Sequence, residues 1–235
     1  MKLKHYFKKL FSGIFLTIQS GPLKGKKWIA TSGKKFITGK FEPYKSEAFL
    51  KEFIPGSIFY DIGAHIGYFS AIACSLNAGK GHVYAFEPRP DNSNFFRRHM
   101  KANKFEGFTL TQAAVSAKEG EVRFNANTGT ATGHISPMGN LTVKVISIDR
   151  QFEAGVIPAP DFIKIDVEGG EIEVLKGCEK VISTCKPKIL VATHGPQTHE
   201  FVINFLNTHG YQYEVLNQDG IKGDTEIIAL PIGAK

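Results

Sequence analysis

Three stretches of the chain set acids, glycines and a histidine at spacings that suit chemistry. In Tyr60-Asp61-Ile62-Gly63-Ala64-His65-Ile66-Gly67-Tyr68-Phe69 an apolar run ends in an acid, a glycine turn follows, and a helical pattern starts near Gly67. Such a turn lets a ligand approach bare backbone at a helix N-terminus. The dinucleotide fingerprint needs G-x-G-x-x-G, whereas the spacing here is Gly63-x-x-x-Gly67 and Asp61 stands where a phosphate would be repelled. The loop suits a ligand with a cationic amine and no phosphate, which describes S-adenosyl-L-methionine; a plain tight turn is the competing reading. In His82-Val83-Tyr84-Ala85-Phe86-Glu87-Pro88 a second strand ends in an acid, about 20 residues past the turn, where a carboxylate accepts ribose hydroxyls. Glu87 alone would read as a solvated strand-end acid, but paired with the glycine turn it reads as a ribose ligand. The third stretch, Asp161–Glu171, carries Lys164, Asp166, Glu168 and Glu171, and a later strand delivers His194 to the same edge. Alternation puts Lys164 and Asp166 on one side of their strand, where the lysine is expected to partner the carboxylate. Asp166, Glu168 and His194 are thus candidates to meet in one cleft. The competing readings are first-turn acids favoured by a helix dipole and a structural histidine.

The elements that must hold these residues follow a βαβ pattern from Ser57 onward, which implies a mostly parallel sheet covered by helices. Expected strands are Ile58–Ile62, His82–Phe86, Phe108–Ala114, Phe162–Asp166 and Lys188–Thr193. Expected helices are Tyr68–Leu76, Asp91–Ala102, Glu171–Ile182 and Gln197–Thr208. Glu121–Asn127 and Leu141–Ile148 read as an inserted antiparallel pair around the Gly/Thr-rich loop Thr128–Asn140, and Tyr211–Leu216 with Thr225–Leu230 as a closing hairpin. At 235 residues with 42% hydrophobic and 22% charged side chains, the chain is an ordinary globular one and favours a single domain. Three cysteines with no C-x-x-C pair exclude a disulfide scaffold and a four-cysteine zinc module. A reducing, cytoplasmic setting is the expectation.

The net charge of +7 is unevenly spread. Residues 1–41 hold ten lysines and no acid, so beyond them 19 basic residues face 22 acidic ones, a net of −3. The chain therefore divides into a basic extension, 1–41, and a mildly acidic body, 42–235, on which no nucleic-acid surface is expected. Leu3, Tyr6, Phe7, Leu10, Phe11, Ile14 and Phe15 recur at helical spacing, with lysines on the opposite arc. Residues 2–18 are thus expected to form a basic amphipathic helix, lying either on an anionic membrane or on its own domain. Ser12 and Gly13 interrupt any signal-peptide core, and no run reaches the roughly 18 apolar residues of a membrane span.

Taken together, these segments resemble the FkbM-type family of class I methyltransferases. The likeness runs from about Gly21 to Leu216 through Gly21-Pro22-Leu23-Lys24-Gly25, Gly39-Lys40-Phe41-Glu42-Pro43, Asp61–Phe69 and Phe86-Glu87-Pro88-Arg89-Pro90. Its most specific part is Ile163-Lys164-Ile165-Asp166-Val167-Glu168-Gly169 followed by Val174-Leu175-Lys176-Gly177. The resemblance implies a Rossmann-like α/β fold, a seven-stranded sheet with its last strand antiparallel, and transfer of a methyl group from S-adenosylmethionine to an oxygen. By the same resemblance Asp61, Gly63 and Gly67 line the methionine part, Glu87 holds the ribose and Ala114 lies near the adenine. Glu42, Ala64, His65, Tyr68, Phe69, Pro88 and Asp166 complete the implied cofactor contacts. His65 replaces the family's usual asparagine and is expected to contribute its backbone. The loop Thr128–Asn140 is too variable in the family to carry a substrate.

An activated sulfonium asks the protein for alignment and, with an alcohol acceptor, for removal of a proton. Asp166, Glu168 and His194 are the candidate catalytic residues for that task, which is worth about 10²- to 10⁴-fold. A divalent metal on Asp166 and Glu168 would acidify a hydroxyl instead, but a dense carboxylate set is lacking and no metal is expected. The expected acceptor is a hydroxyl of a sugar, glycan or other small natural product. The rivals are a nucleotide-dependent oxidoreductase, disfavoured by the glycine spacing, and a non-catalytic module presenting the basic segment to lipid or nucleic acid, disfavoured by the intact Asp61, Gly63, Gly67 and Glu87.

Overall fold

The structure is a computed structural model that describes residues 13–125, 134–135, 138–217 and 224–233. The chain opens with an antiparallel pair, β1 (Phe15–Thr17) and β2 (Lys27–Ile29), then a short α1 (Lys34–Ile37) and α2 (Pro43–Glu52). The alternating region follows as β3 (Ile58–Ile62), α3 (Tyr68–Asn77), β4 (His82–Phe86), α4 (Pro90–Ala102) and β5 (Phe108–Thr111). A small sheet interrupts it, with β6 (Ala114–Val115), β7 (Gly120–Asn125), β8 (His134–Ile135) and β9 (Leu141–Ile146) leading into α5 (Ile148–Glu153). The chain returns through β10 (Phe162–Ile165), α6 (Glu171–Lys176), α7 (Glu179–Cys185), β11 (Lys188–His194) and α8 (Pro196–Thr208), and ends in β12 (Tyr211–Val215) and β13 (Asp224–Pro231).

Seven strands form the main sheet in the order β12-β13-β11-β10-β3-β4-β5. Five neighbouring strands run parallel, while β13 is antiparallel to both β11 and β12. The expected antiparallel last strand is therefore present, slotted into the sheet and not at its edge. The order reverses between β3 and β10, and in parallel α/β sheets that switch point is where a crevice opens at the carboxyl ends of the strands. Two apolar clusters cover the two faces. One gathers Leu23, Trp28, Phe49, Phe59, Phe69 and Phe96, the other Tyr60, Ile163, Leu175, Ile189, Val202 and Ile227.

Several boundaries differ from the sequence-based expectation. The single expected helix Glu171–Ile182 is two, because Gly177 turns the chain where a Cβ would lie 2.4 Å from the Ser116 carbonyl oxygen. The expected strand Phe108–Ala114 divides, with β5 in the main sheet and Ala114 crossing to pair with Val145. Ile14 and Phe15, assigned to a basic helix, are extended: Gly13 weakens helix, and Phe15–Thr17 pairs with the strand carrying the buried Trp28. The rest of that helix, residues 2–12, lies outside the described residues, as does most of the loop Thr128–Asn140. The charge boundary at residue 41 is not a packing boundary, since Ile18, Leu23, Trp28 and Phe36 sit in the same cluster as Phe49 and Phe69. Cys74, Cys178 and Cys185 are all free. Among the described residues no helix is long and apolar enough to cross a membrane.

Candidate active site

The glycine turn begins where β3 ends. Asp61 is fully buried there; its Oδ2 accepts hydrogen bonds from Ser70 Oγ at 2.6 Å and Ser70 N at 3.1 Å, and its Oδ1 lies 3.2 Å from Lys164 Nζ. Lys164 also donates to the Gly63 carbonyl at 3.0 Å, so the lysine of β10 ties the turn to the strand beside it. Gly63, at φ +78°, has no room for a side chain, because a Cβ would lie 1.8 Å from the Asp166 carbonyl oxygen. Two strand ends thus touch backbone to backbone. His65 also adopts a left-handed conformation, φ +50°, a region in which His and Asn are enriched. Its N–H donates to Glu87 Oε2 at 2.9 Å. Its ring Nε2 is buried with no partner, and burial, helped by Lys164, pushes the imidazole down to about 4.

Glu87 lies at the end of β4, nearly buried. Arg89 N donates to its Oε1 at 2.9 Å and Asn92 Nδ2 at 3.1 Å. Burial raises its pKa against the pull of these donors and of His65 N. A carboxylate oriented by three fixed donors is a preorganised acceptor for hydroxyl groups.

Across the turn, the partner of Asp166 is not the expected Lys164 but Lys45, from a helix the sequence reading passed over. Lys45 Nζ is 2.8 Å from Asp166 Oδ2, 3.0 Å from Glu42 Oε2 and 3.4 Å from Glu226 Oε1, with its side chain buried. Burial opposes its charge, yet the three carboxylates hold the ammonium well above its ordinary pKa. Burial likewise works against ionised Asp166, but Lys45 and Lys164 hold its carboxyl far below the usual range. Glu42 behaves oppositely, with burial outweighing Lys45 and raising it. His194, at the end of β11, sits 2.8 Å through Nδ1 from Glu171 Oε1, and its Nε2 is 3.6 Å from Glu168 Oε2 and 3.9 Å from Asp166 Oδ1. Burial would depress it, but Glu171, Asp166 and Glu168 lift it to about 9. The structure therefore brings Asp166, Glu168 and His194 together, with His194 carrying a proton at neutral pH when nothing else is bound.

Glu42, His65, Glu87, Lys164, Asp166 and Glu168 border a cleft in two adjoining halves, with Lys45 and His194 behind its carboxylates. One half is walled by Phe41, Glu42, Gly63, Ala64, His65, Tyr68, Phe69, Lys164, Asp166 and Glu168. The other is walled by Ile62, Phe86, Glu87, Pro88, Arg89, Asn92, Ala113, Ala114, Val115, Phe124, Val167 and Gly170, sharing Gly63, His65, Asp166 and Glu168 with the first. The first, bordered by Glu42, Asp166 and Glu168, suits the charged methionine end; the second, where Glu87 stands among apolar walls beyond the shared carboxylates, suits a nucleoside. Two expected ligands stand behind the wall. Asp61 is occupied by Ser70 and Lys164 beneath the turn, and Gly67 faces the Phe96 ring, which a Cβ would approach to 2.6 Å. Lys164 occupies the wall position assigned to Asp61. Lys45, Arg89, Asn92 and Phe124 were not anticipated. Arg89 and Asn92 follow the Glu87-Pro88 turn closely enough for sequence proximity to have flagged them, whereas nothing local marks Lys45.

The fold, the switch-point cleft and the acid-ended strands define a class I S-adenosylmethionine-dependent methyltransferase. The Methyltransferase FkbM domain profile matches residues 61–213. The hexuronic acid methyltransferase AglP of Haloferax volcanii is 31% identical over 175 residues, 72% of this chain and 70% of the relative. The chain belongs to the FkbM methyltransferase family. Among solved structures, the methyltransferase FkbM from Methylobacillus flagellatus superposes with a TM-score of 0.57 at 22% identity over 80% of this chain. This chain spans about half of that one, 48% of its length. A SAM-dependent O-methyltransferase from Thermotoga maritima superposes with a TM-score of 0.53 at 12% identity, covering 82% of this chain and 65% of the other. At these identities the superpositions speak for the fold. S-adenosylmethionine is the cofactor, and the cleft fits it: fixed donors orient Glu87, the glycine turn exposes backbone, and the acidic rim suits a sulfonium and an ammonium.

Proposed function

We propose that the enzyme transfers the methyl group of S-adenosylmethionine to a hydroxyl of a sugar, with glycans bearing hexuronic acid as the first acceptors to try. The acceptor oxygen attacks the methyl carbon, the carbon–sulfur bond breaks with its electron pair going to sulfur, S-adenosylhomocysteine leaves, and the hydroxyl proton passes to the strand-end groups or to water. The observation that carries this reading is the convergence of Asp166, Glu168 and His194 beside the wall shared by the two halves of the cleft. His194, protonated while the cleft is empty, and Asp166, held ionised by Lys45 and Lys164, orient the acceptor; Glu168 or water takes its proton. The hexuronic acid specificity of the 31% identical relative supports the sugar class. The test is methyl transfer from labelled S-adenosylmethionine to hexuronic acid glycosides, neutral hexosides, lipids and small alcohols. Labelling of lipids or alcohols alone would overturn the sugar assignment.

Residues 2–18 are proposed to give the enzyme a peripheral contact with anionic membrane. Ten lysines without an acid in residues 1–41 and the exposed Ile14 and Leu16 support this. Sedimentation with anionic liposomes, comparing the full chain with one starting at Gly13 and with the double variant Ile14→Ser, Leu16→Ser, is the test; a full chain that ignores anionic liposomes at low salt overturns the proposal.

A further inference from the structure

The strand-end cluster has the composition and spacing of a metal centre. One ligand atom each from Asp166, Glu168 and His194 lies within 4.8 Å of the other two. A six-coordinate ion with oxygen or nitrogen ligands at about 2.1 Å holds adjacent ligands about 3 Å apart and opposite ones about 4.2 Å apart, so the 3.6 and 3.9 Å separations need little adjustment.

Two of the three ligands are also aimed. Lys45 takes Asp166 Oδ2 at 2.8 Å and leaves Oδ1 toward His194. Glu171 Oε1 meets His194 Nδ1 at 2.8 Å, so Nε2 is the nitrogen facing the two carboxylates. Glu171 is itself fixed, fully buried, by Gly169 N at 3.0 Å. A buried carboxylate behind a histidine, setting which nitrogen looks into a gap between acids, is the arrangement by which proteins orient a metal-ligating imidazole. The acids outnumber the cations: Glu42, Asp166 and Glu226 surround Lys45, Glu168 and Glu171 stand against His194, and Lys164 is engaged by Asp61 and the Gly63 carbonyl.

We propose that Asp166, Glu168 and His194 form a divalent-cation site, with Glu171 as the positioning residue, and that its open coordination positions face the acceptor hydroxyl. The inference rests on the methyl-transfer reading, whose hydroxyl would be the cation's further ligand. Two carboxylates and one imidazole suit Mn²⁺ better than Mg²⁺, because nitrogen ligands raise affinity along the transition series. A cation bound there lowers the pKa of a coordinated hydroxyl and makes an acidic rim tolerable to an oxygen-rich acceptor.

The test is Mn²⁺ titration of the full chain, followed by electron paramagnetic resonance and calorimetry, with S-adenosylhomocysteine binding measured in parallel as a check on the folded cleft. The expected result is one Mn²⁺ per chain. His194→Ala and Glu168→Gln should weaken it at least about 100-fold, and Glu171→Gln by about 10- to 100-fold, each with S-adenosylhomocysteine affinity kept within a few-fold. A wild-type chain that takes up no Mn²⁺ at millimolar concentration overturns the site, as does Mn²⁺ that His194→Ala binds equally well. Full methyl transfer to a sugar in the presence of a chelator would remove the site and keep the function. Mn²⁺ bound as described in a protein that methylates no sugar would do the reverse.

Discussion

Single side chains in this enzyme owe their behaviour to partners far away in sequence. Lys45 is the sharpest case. A lysine in Pro-Tyr-Lys-Ser-Glu reads as a solvated helix residue, yet it is buried against acids at positions 42, 166 and 226. Removing one member of a buried ionic set costs about 3–5 kcal/mol, because its partners remain as uncompensated charge. Lys45→Met should therefore lower the denaturation midpoint by an amount of that order; an unchanged midpoint would show that the set contributes nothing. The place of Glu87 on the cleft was legible, because an acid closing a strand about 20 residues past a glycine turn falls at the carboxyl edge of the sheet. Glu87→Gln should weaken S-adenosylhomocysteine binding by about 10- to 100-fold, or roughly 1.4–2.8 kcal/mol, as charged acceptance of ribose hydroxyls is lost. Calorimetry would settle it, and unaltered affinity would dismiss the ribose role. Asp61 was legible as a strand-end acid but not in its placement, since sequence spacing does not say whether such an acid faces a ligand or the lysine beneath it.

Among elements, those with strong period and punctuation were readable nearly to the residue. β3 and β4 match their expected ranges, and α3, α4 and α8 differ from theirs by a residue at one end. What tertiary packing decides was not readable: the break at Gly177 comes from the Ser116 carbonyl, and the split after β5 from a second sheet competing for Ala114. The opening β1–β2 pair was missed because its strands are three residues each and held from outside. His99 of α4 does much of that holding. Its ring stacks on Trp28 at 3.7 Å, its Nε2 accepts the Ile29 N–H at 3.1 Å, and its Nδ1 meets the Ile66 carbonyl at 2.9 Å. The same ring thus links the opening strands to the glycine turn. His99→Leu leaves a buried donor and a buried acceptor unmet, at about 1–3 kcal/mol each. Denaturant unfolding should show that loss, together with weaker S-adenosylhomocysteine binding as the turn loosens; a wild-type midpoint would refute the link.

At the scale of the whole molecule, two buried histidines make the fold sensitive to acid. Burial lowers His65 to about 4 and His99 to about 3, both below the ordinary histidine value near 6.5. The unfolded chain therefore binds more protons at these two rings in that interval, so their contribution is complete above about pH 6.5 and falls as pH drops, by up to about 1.4 kcal/mol per unit for each ring. Thermal melts should decline below pH 6.5, with a shallower decline in His99→Gln, and should also decline from about pH 6.5 toward pH 9 as His194 loses its proton; a melting temperature constant from pH 7 to pH 4.5 would contradict the assignment. The sheet order carries a different consequence, one of timing. β13 is made after every other described strand, yet it fills the slot between β11 and β12, and Glu226 within it is one of the three counter-charges of Lys45. Until that strand leaves the ribosome, β12 has no neighbour to pair with and Lys45 lacks one of its acids. Pairings between distant segments are slow to form, so before β13 emerges the nascent enzyme carries an open sheet edge and an unfinished cleft. A nascent chain stalled before Asp224 would be the natural client of a chaperone that binds exposed strands.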